Sequence, residues 1–283
     1  MESVSTETAI DRTTVGDAVR SIGLPLVLTS TLGATLGVVF AQFLDSLGDG
    51  VAAEILGGDA VLFNNRAEFT GATDLAYVGG FILCLVVGLL FLFAYPAQRI
   101  YDLSKLTFLW MTLHLLRHAL SDALLVGLDE GSQIALAYNT FEAPPGLDVV
   151  ISAAGGLGLV LIGLGAASAF LSFAPHRRRI STPRKRFMFV LWIVVVPAAA
   201  SVFLALPFFS PDAGSGVVPA LPLTAVMFLL TLAAAPGTSS VIGPEDERSY
   251  GWPFGLAATM VVILIAYVVL FRNGVSIDPT QWG

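Results

Sequence analysis

Five residues on one short stretch carry side chains able to do chemistry: His114, Arg117, His118, Ser121 and Asp122. On a helix turning about 100° per residue they fall within an arc of roughly 140°, so they form one polar stripe. The stripe lies in an apolar run, LTFLWMTLHLLRHALSDALLVG, from Leu106 to Gly127. Ionisable groups at membrane depth cost several kcal/mol each unless they pair or face a wet cavity, so such a stripe marks a functional interior. Two imidazoles at i,i+4 can chelate one divalent metal. Histidine, aspartate and arginine on one face can also relay protons or hold a charged ligand. The plainer alternative is a structural network. In it His118 pairs with Asp122 at i,i+4, Arg117 meets a carbonyl or carboxylate of another span, and the only return is specificity.

The element that positions the stripe is a membrane span. The 283 residues are 55% hydrophobic and only 12% charged, with mean hydropathy +0.82, well outside the composition of a water-soluble domain. The apolar residues gather into seven runs of the length that crosses ~30 Å of hydrocarbon, over 22–45, 75–95, 106–127, 148–173, 187–208, 217–235 and 253–271. The runs are continuously apolar rather than alternating, which specifies helices and not barrel strands. The expected fold is therefore an all-α, polytopic transmembrane helix bundle of about seven spans. It has a cytoplasmic N-terminal segment (1–21), the bundle (22–271) and a C-terminal tail (272–283).

Basic residues set the orientation, because Lys and Arg of short loops stay on the cytoplasmic side. Arg12 and Arg20 precede the first run, Arg99 and Lys105 lie between the second and third, and Arg177, Arg178, Arg179, Arg184, Lys185 and Arg186 lie between the fourth and fifth. The alternate connections are acidic, with Asp45, Asp49, Glu54, Asp59, Glu68 and Asp74 in the first and Asp129, Glu130 and Glu142 in the second. This predicts a cell-membrane protein with its N-terminus in the cytoplasm, segments 46–74 and 128–147 outside, and a first span that acts as its own signal anchor. Residues 51–63 are expected as a short amphipathic helix on the outer surface. Pro197, Pro207, Pro219 and Pro222 should kink their helices or mark the ends. The single cysteine, Cys84, falls inside a span and reads as a packing residue. Two lysines against twelve arginines, with net charge −7, suit an acidic, salt-tolerant proteome such as that of a halophilic archaeon. Expected partners are the lipid bilayer and another membrane protein, with no nucleic acid.

The segment LHLLRHALSDALLVG, Leu113 to Gly127, resembles the HExxH-bearing helix of site-2 protease-like intramembrane zinc metallopeptidases in a degenerate form. Ile151-Ser-Ala-Ala-Gly-Gly156 and Ser210-Pro-Asp-Ala-Gly214 extend the likeness, which covers about 106 to 216. The resemblance implies zinc as cofactor, His114 and His118 as metal ligands and Asp212 as the third, with Asp148 a weaker candidate. Leu115 stands where that family has the glutamate that activates the metal-bound water, work a leucine cannot do. The first expectation is accordingly a non-catalytic homologue that holds a membrane partner or small ligand in the old cavity. An active metal-dependent hydrolase with Asp122 or Asp212 as substitute base is a second. A transporter or proton-relay subunit using His114, Arg117, His118 and Asp122 is a third. The sequence holds no GxSxG, no phosphate-cradling Gly-Lys loop and no CxxC.

Overall fold

The computed structural model describes residues 23–63, 65–97, 102–141, 143–209, 217–239 and 248–277. Helix α1 (Leu24–Ile55) is followed by strands β1 (Asp59–Leu62) and β2 (Ala67–Thr70). A 3₁₀ turn (Asp74–Tyr77) leads into α2 (Val78–Ala94), then come α3 (Leu103–Leu125), the short α4 (Gln133–Thr140) and α5 (Leu147–Leu171). Next are α6 (Pro183–Val190), a π-helical turn (Leu191–Val195) and α7 (Val196–Ala205). Helices α8 (Val217–Ala234) and α9 (Phe254–Phe271) and a two-residue strand β3 (Val275–Ser276) complete the chain. Five helical stretches are long and apolar enough to cross a membrane: Leu24–Ile55, Asp74–Ala97, Leu147–Leu171, Pro183–Phe208 and Phe254–Phe271. Of the other two expected spans, α3 is long enough but polar, and α8 contributes the shorter apolar stretch Pro222–Gly237.

Helix α3 is the hub, packed against α1, α2, α5 and α8. Its start is fixed by Asp102, whose carboxylate accepts the Lys105 backbone N–H at 2.9 Å, an N-cap that satisfies one orphan donor of the first turn. Burial pushes the Asp102 carboxyl up, but hydrogen bonds from the Lys105 N–H and from Ser104 outweigh it and hold the group below the ordinary aspartate value. Trp110, Phe170 and Phe228 pack ring to ring in the main core, with Trp110–Phe170 centroids 5.1 Å apart and Trp110–Phe228 5.2 Å.

Backbones approach closely where glycine leaves room, as helix pairs in lipid require. A Cβ on Gly37 of α1 would lie 2.7 Å from His114 Cδ2 and 2.9 Å from the Trp110 carbonyl oxygen of α3. Hydroxyls inside α1 are satisfied locally, Thr29 donating to the Pro25 carbonyl at 2.8 Å and Thr35 to the Thr31 carbonyl at 2.9 Å.

The expected break at Pro197 has a clear cause. Proline offers no N–H to the Ile193 carbonyl four residues earlier, and the helix widens to a π turn over Leu191–Val195. The freed Ile193 oxygen accepts Ser30 Oγ from α1 at 2.5 Å, and Ser30 Oγ accepts the Trp110 indole N–H at 2.8 Å. A defect in one helix thus becomes a junction of three.

One expectation is corrected. Residues 51–63 do not form a separate surface helix: α1 continues to Ile55 and the chain then turns into β1. Strand β1 pairs antiparallel with β2 (Asp59 opposite Thr70, Leu62 opposite Ala67) and on its other edge with β3 (Val61 opposite Ser276, Leu62 opposite Val275). The alternating burial of Asp59, Ala60, Val61 and Leu62 turns Ala60 and Leu62 inward, where Ala60 packs with Ala53 and Ala76 over the last turns of α1. The tail beyond residue 271 is therefore joined to the connection after α1 rather than separate from it. The end of α9 thus lies at the end of the bundle where α1 also ends. At the opposite end from the sheet, the Arg186 guanidinium donates to the Pro236 carbonyl at 3.0 Å and the Tyr250 hydroxyl to the Phe173 carbonyl at 2.8 Å.

Candidate functional site: a carboxylate–imidazole cluster between α1, α2 and α3

Helix α1 overshoots the expected span by ten residues, which carries Asp45 and Asp49 inside a helix instead of into an outer loop. Gly33, Gly37, Ala41, Asp45 and Asp49 follow one another at intervals of four, a ridge that runs along the α3 contact and ends against α2. The glycines let α1 and α3 approach, and the same ridge delivers Asp45 to His118.

His118 lies about 22 Å along α3 from its start, at the sheet end of the bundle. Its imidazole stands between two carboxylates: Nε2 is 3.5 Å from Asp45 Oδ2 and Nδ1 is 3.4 Å from Asp122 Oδ2. Asp45 and His118 are each 14% exposed and Asp122 is 23% exposed, so the group is largely shielded. Both separations suit ion pairs but exceed hydrogen-bond length, and His118 Nε2 makes no hydrogen bond. Gln42 holds Asp45 in place, its amide 3.3 Å from Asp45 Oδ2 and 3.2 Å from the Asn65 carbonyl of the strand connection. Asp49 is 5% exposed and accepts the Gly80 N–H at 2.8 Å, capping the first turn of α2 from a neighbouring helix.

The other stripe residues face elsewhere. His114 is 1% exposed, stacked on Trp110 at 5.6 Å and edge-on to Phe228 at 5.7 Å, and neither ring nitrogen has a partner. Arg117 donates through Nη1 to Thr224 Oγ1 of α8 at 3.0 Å. Ser121 is buried and its hydroxyl is unpartnered. Leu115 is fully buried in an apolar cluster with Ala41, Leu44, Cys84 and Ala119. Of the Ile151–Gly156 run, Ser152 Oγ accepts the Gly127 N–H at 2.8 Å and Gly155 abuts the α3 backbone, so the run serves packing. Asp148 sits in the first turn of α5, away from the cluster, and Asp212 lies outside the described residues.

Among the described residues, the metal-type donors that come together are Asp45, His118 and Asp122, whose ligand atoms all lie within 4.8 Å of one another. Imidazole and carboxylate donors suit zinc and related divalent ions. His114 is not in that set. The histidine pair anticipated as a chelate is split, one ring turned into an aromatic box and the other toward carboxylates. Asp45 is the member that sequence reading missed, because an aspartate at the expected end of a span reads as a loop residue. Its signal was the interval of four from Gly33, Gly37 and Ala41. No family model, no curated protein and no solved structure matches this chain.

Proposed function

We propose that this chain is a multi-pass membrane protein without hydrolytic activity, whose Asp45–His118–Asp122 chain passes protons within the bundle as part of a transporter or proton-relay unit. One observation carries the reading: an imidazole with each of its two nitrogens facing a different carboxylate, one from α1 and one from α3. A proton received at Nε2 from Asp45 can leave from Nδ1 to Asp122, with no net change in the ring beyond its tautomer. Closure by a few tenths of an ångström brings both gaps into the range of about 2.7–3.2 Å where transfer occurs.

The non-catalytic element of the reading rests on Leu115. It is buried among Ala41, Leu44 and Cys84, and among the described residues no carboxylate stands beside His114 to serve as the base that peptide hydrolysis needs. The likeness to site-2 protease-like helices then concerns how a polar stripe is carried on a span, not the reaction. The wild-type chain, reconstituted in vesicles containing a pH-sensitive dye, is expected to dissipate an imposed pH gradient, and His118→Gln to stop it. Vesicles that hold the gradient equally with and without the wild-type protein would refute the relay.

A further inference from the structure

Beside the relay, the remaining residues of the α3 stripe present a different problem. His114, Arg117 and Ser121 lie on one side of two successive turns, with His114 against Phe228 and Arg117 against Thr224 of α8, and all three are at least nine-tenths buried. Both nitrogens of His114, Nε of Arg117 and Oγ of Ser121 have no hydrogen-bond partner. An orphaned buried donor is costly, and a buried guanidinium without a counter-charge in contact costs more. Among the described residues the ion pairs are Arg66–Glu68, His118–Asp45 and His118–Asp122, so no described carboxylate lies within contact distance of Arg117. Asp122, the nearest acid in sequence, is turned to His118. Water satisfies a hydroxyl or an imidazole but brings no charge.

We infer that the α3–α8 face around Arg117 is a binding site for a small organic carboxylate. Thr224 fixes one arm of the guanidinium by accepting from Nη1, which leaves the Nε edge without a hydrogen-bond partner. That planar edge matches the two oxygens of a carboxylate, and Ser121, one helical turn on, supplies a hydroxyl donor beside it. His114 closes the other end with a ring held flat against Trp110. The aromatic wall of Trp110, Phe170 and Phe228 suits the apolar part of such an anion. This site goes beyond the relay and stands without it: it uses neighbouring side chains of the same α3 stripe, none of which belongs to the Asp45–His118–Asp122 group.

The test uses the full chain in detergent micelles, with sodium acetate as the probe, exchanged against sodium chloride at constant ionic strength. Acetate is expected to raise the unfolding temperature saturably, because a ligand bound only by the folded state stabilises it by mass action. Arg117→Met should abolish the response. Arg117→Lys should weaken it, since an ammonium keeps the charge and loses the fork. Ser121→Ala, a small change that leaves packing intact, should raise the half-saturating acetate concentration about tenfold, the loss expected for a hydrogen bond to a charged group. A wild-type response that does not saturate, or an equal response in Arg117→Met, overturns the site. Should Arg117→Met not fold, an unchanged half-saturation in Ser121→Ala overturns it equally. Acetate binding without proton flux leaves this site standing and removes the relay; flux without an acetate response does the reverse.

Discussion

Gly80→Ala tests whether the close approach of α1 and α2 is what holds the cluster, since it adds one methyl group and changes no titratable side chain. The new Cβ would overlap Asp45 Oδ1, lie 2.6 Å from the Asp45 carbonyl oxygen and 2.7 Å from Asp49 Oδ1, where ordinary contacts begin at 3.4 Å. The carboxylates can swing aside but the Asp45 carbonyl is backbone, so α1 and α2 must part by about 0.8 Å at a site with no slack. Overpacking of this kind costs typically about 1–3 kcal/mol. The movement also draws Asp45 from its 3.5 Å contact with His118 to about 4 Å, the outer limit of an ion pair. Gly165→Ala in α5 is the control, because a Cβ there meets nothing within 4 Å. It should be neutral or gain up to about 1 kcal/mol from helix propensity. Thermal unfolding in detergent and dye-reported proton flux are the two readouts, with Gly80→Ala expected to lose several degrees and most of the flux. A Gly80→Ala protein as stable and as active as Gly165→Ala would refute the close-approach argument.

Three further outcomes follow from the same geometry. Asp102→Ala removes the α3 N-cap and should cost about 1 kcal/mol at neutral pH. Because the folded carboxyl lies below its ordinary value near 3.9, that difference should persist above this pH and fade only as pH falls through the lower folded value, as parallel unfolding titrations would show. Leu115→Glu should not yield a protease: it places a carboxylate in a fully buried apolar cluster and should destabilise the fold by several kcal/mol, with no cleavage of transmembrane peptides even when zinc is added. Cysteines introduced at the exposed positions Ser181 and Thr70 should react with an impermeant thiol reagent from opposite sides of the membrane, Thr70→Cys from outside intact cells, while native Cys84 stays silent in its buried site.

The bundle was legible because lipid imposes long apolar runs, and the polar stripe was legible because ionisable residues stand out against them. The end of α1 was not. Hydropathy marks where a span becomes polar, whereas α1 continues through Asp45, Ser46 and Asp49 because Gly48 packs directly against Gly79 and the carboxylates find partners in His118 and the Gly80 N–H. Tertiary contacts there outweigh the local signal. The pairing of His114 with His118 was inferred from i,i+4 spacing, which places two Cβ atoms on one face but does not decide where each ring turns. Trp110 and Phe228 claim His114, while Asp45 and Asp122 claim His118. Pairing of β3 with β1, between segments more than 200 residues apart, had no local signature.

The proposed relay makes Asp45 on α1 and His118 on α3 consecutive members of one proton chain. A double-mutant cycle with Asp45→Asn and His118→Gln, read as proton flux in reconstituted vesicles, tests it most directly. Consecutive members interrupt the same path, so each single variant should lose nearly all flux and the double variant should be no worse than either. Two partial losses that multiply in the double variant, or substantial flux surviving in His118→Gln, would contradict it.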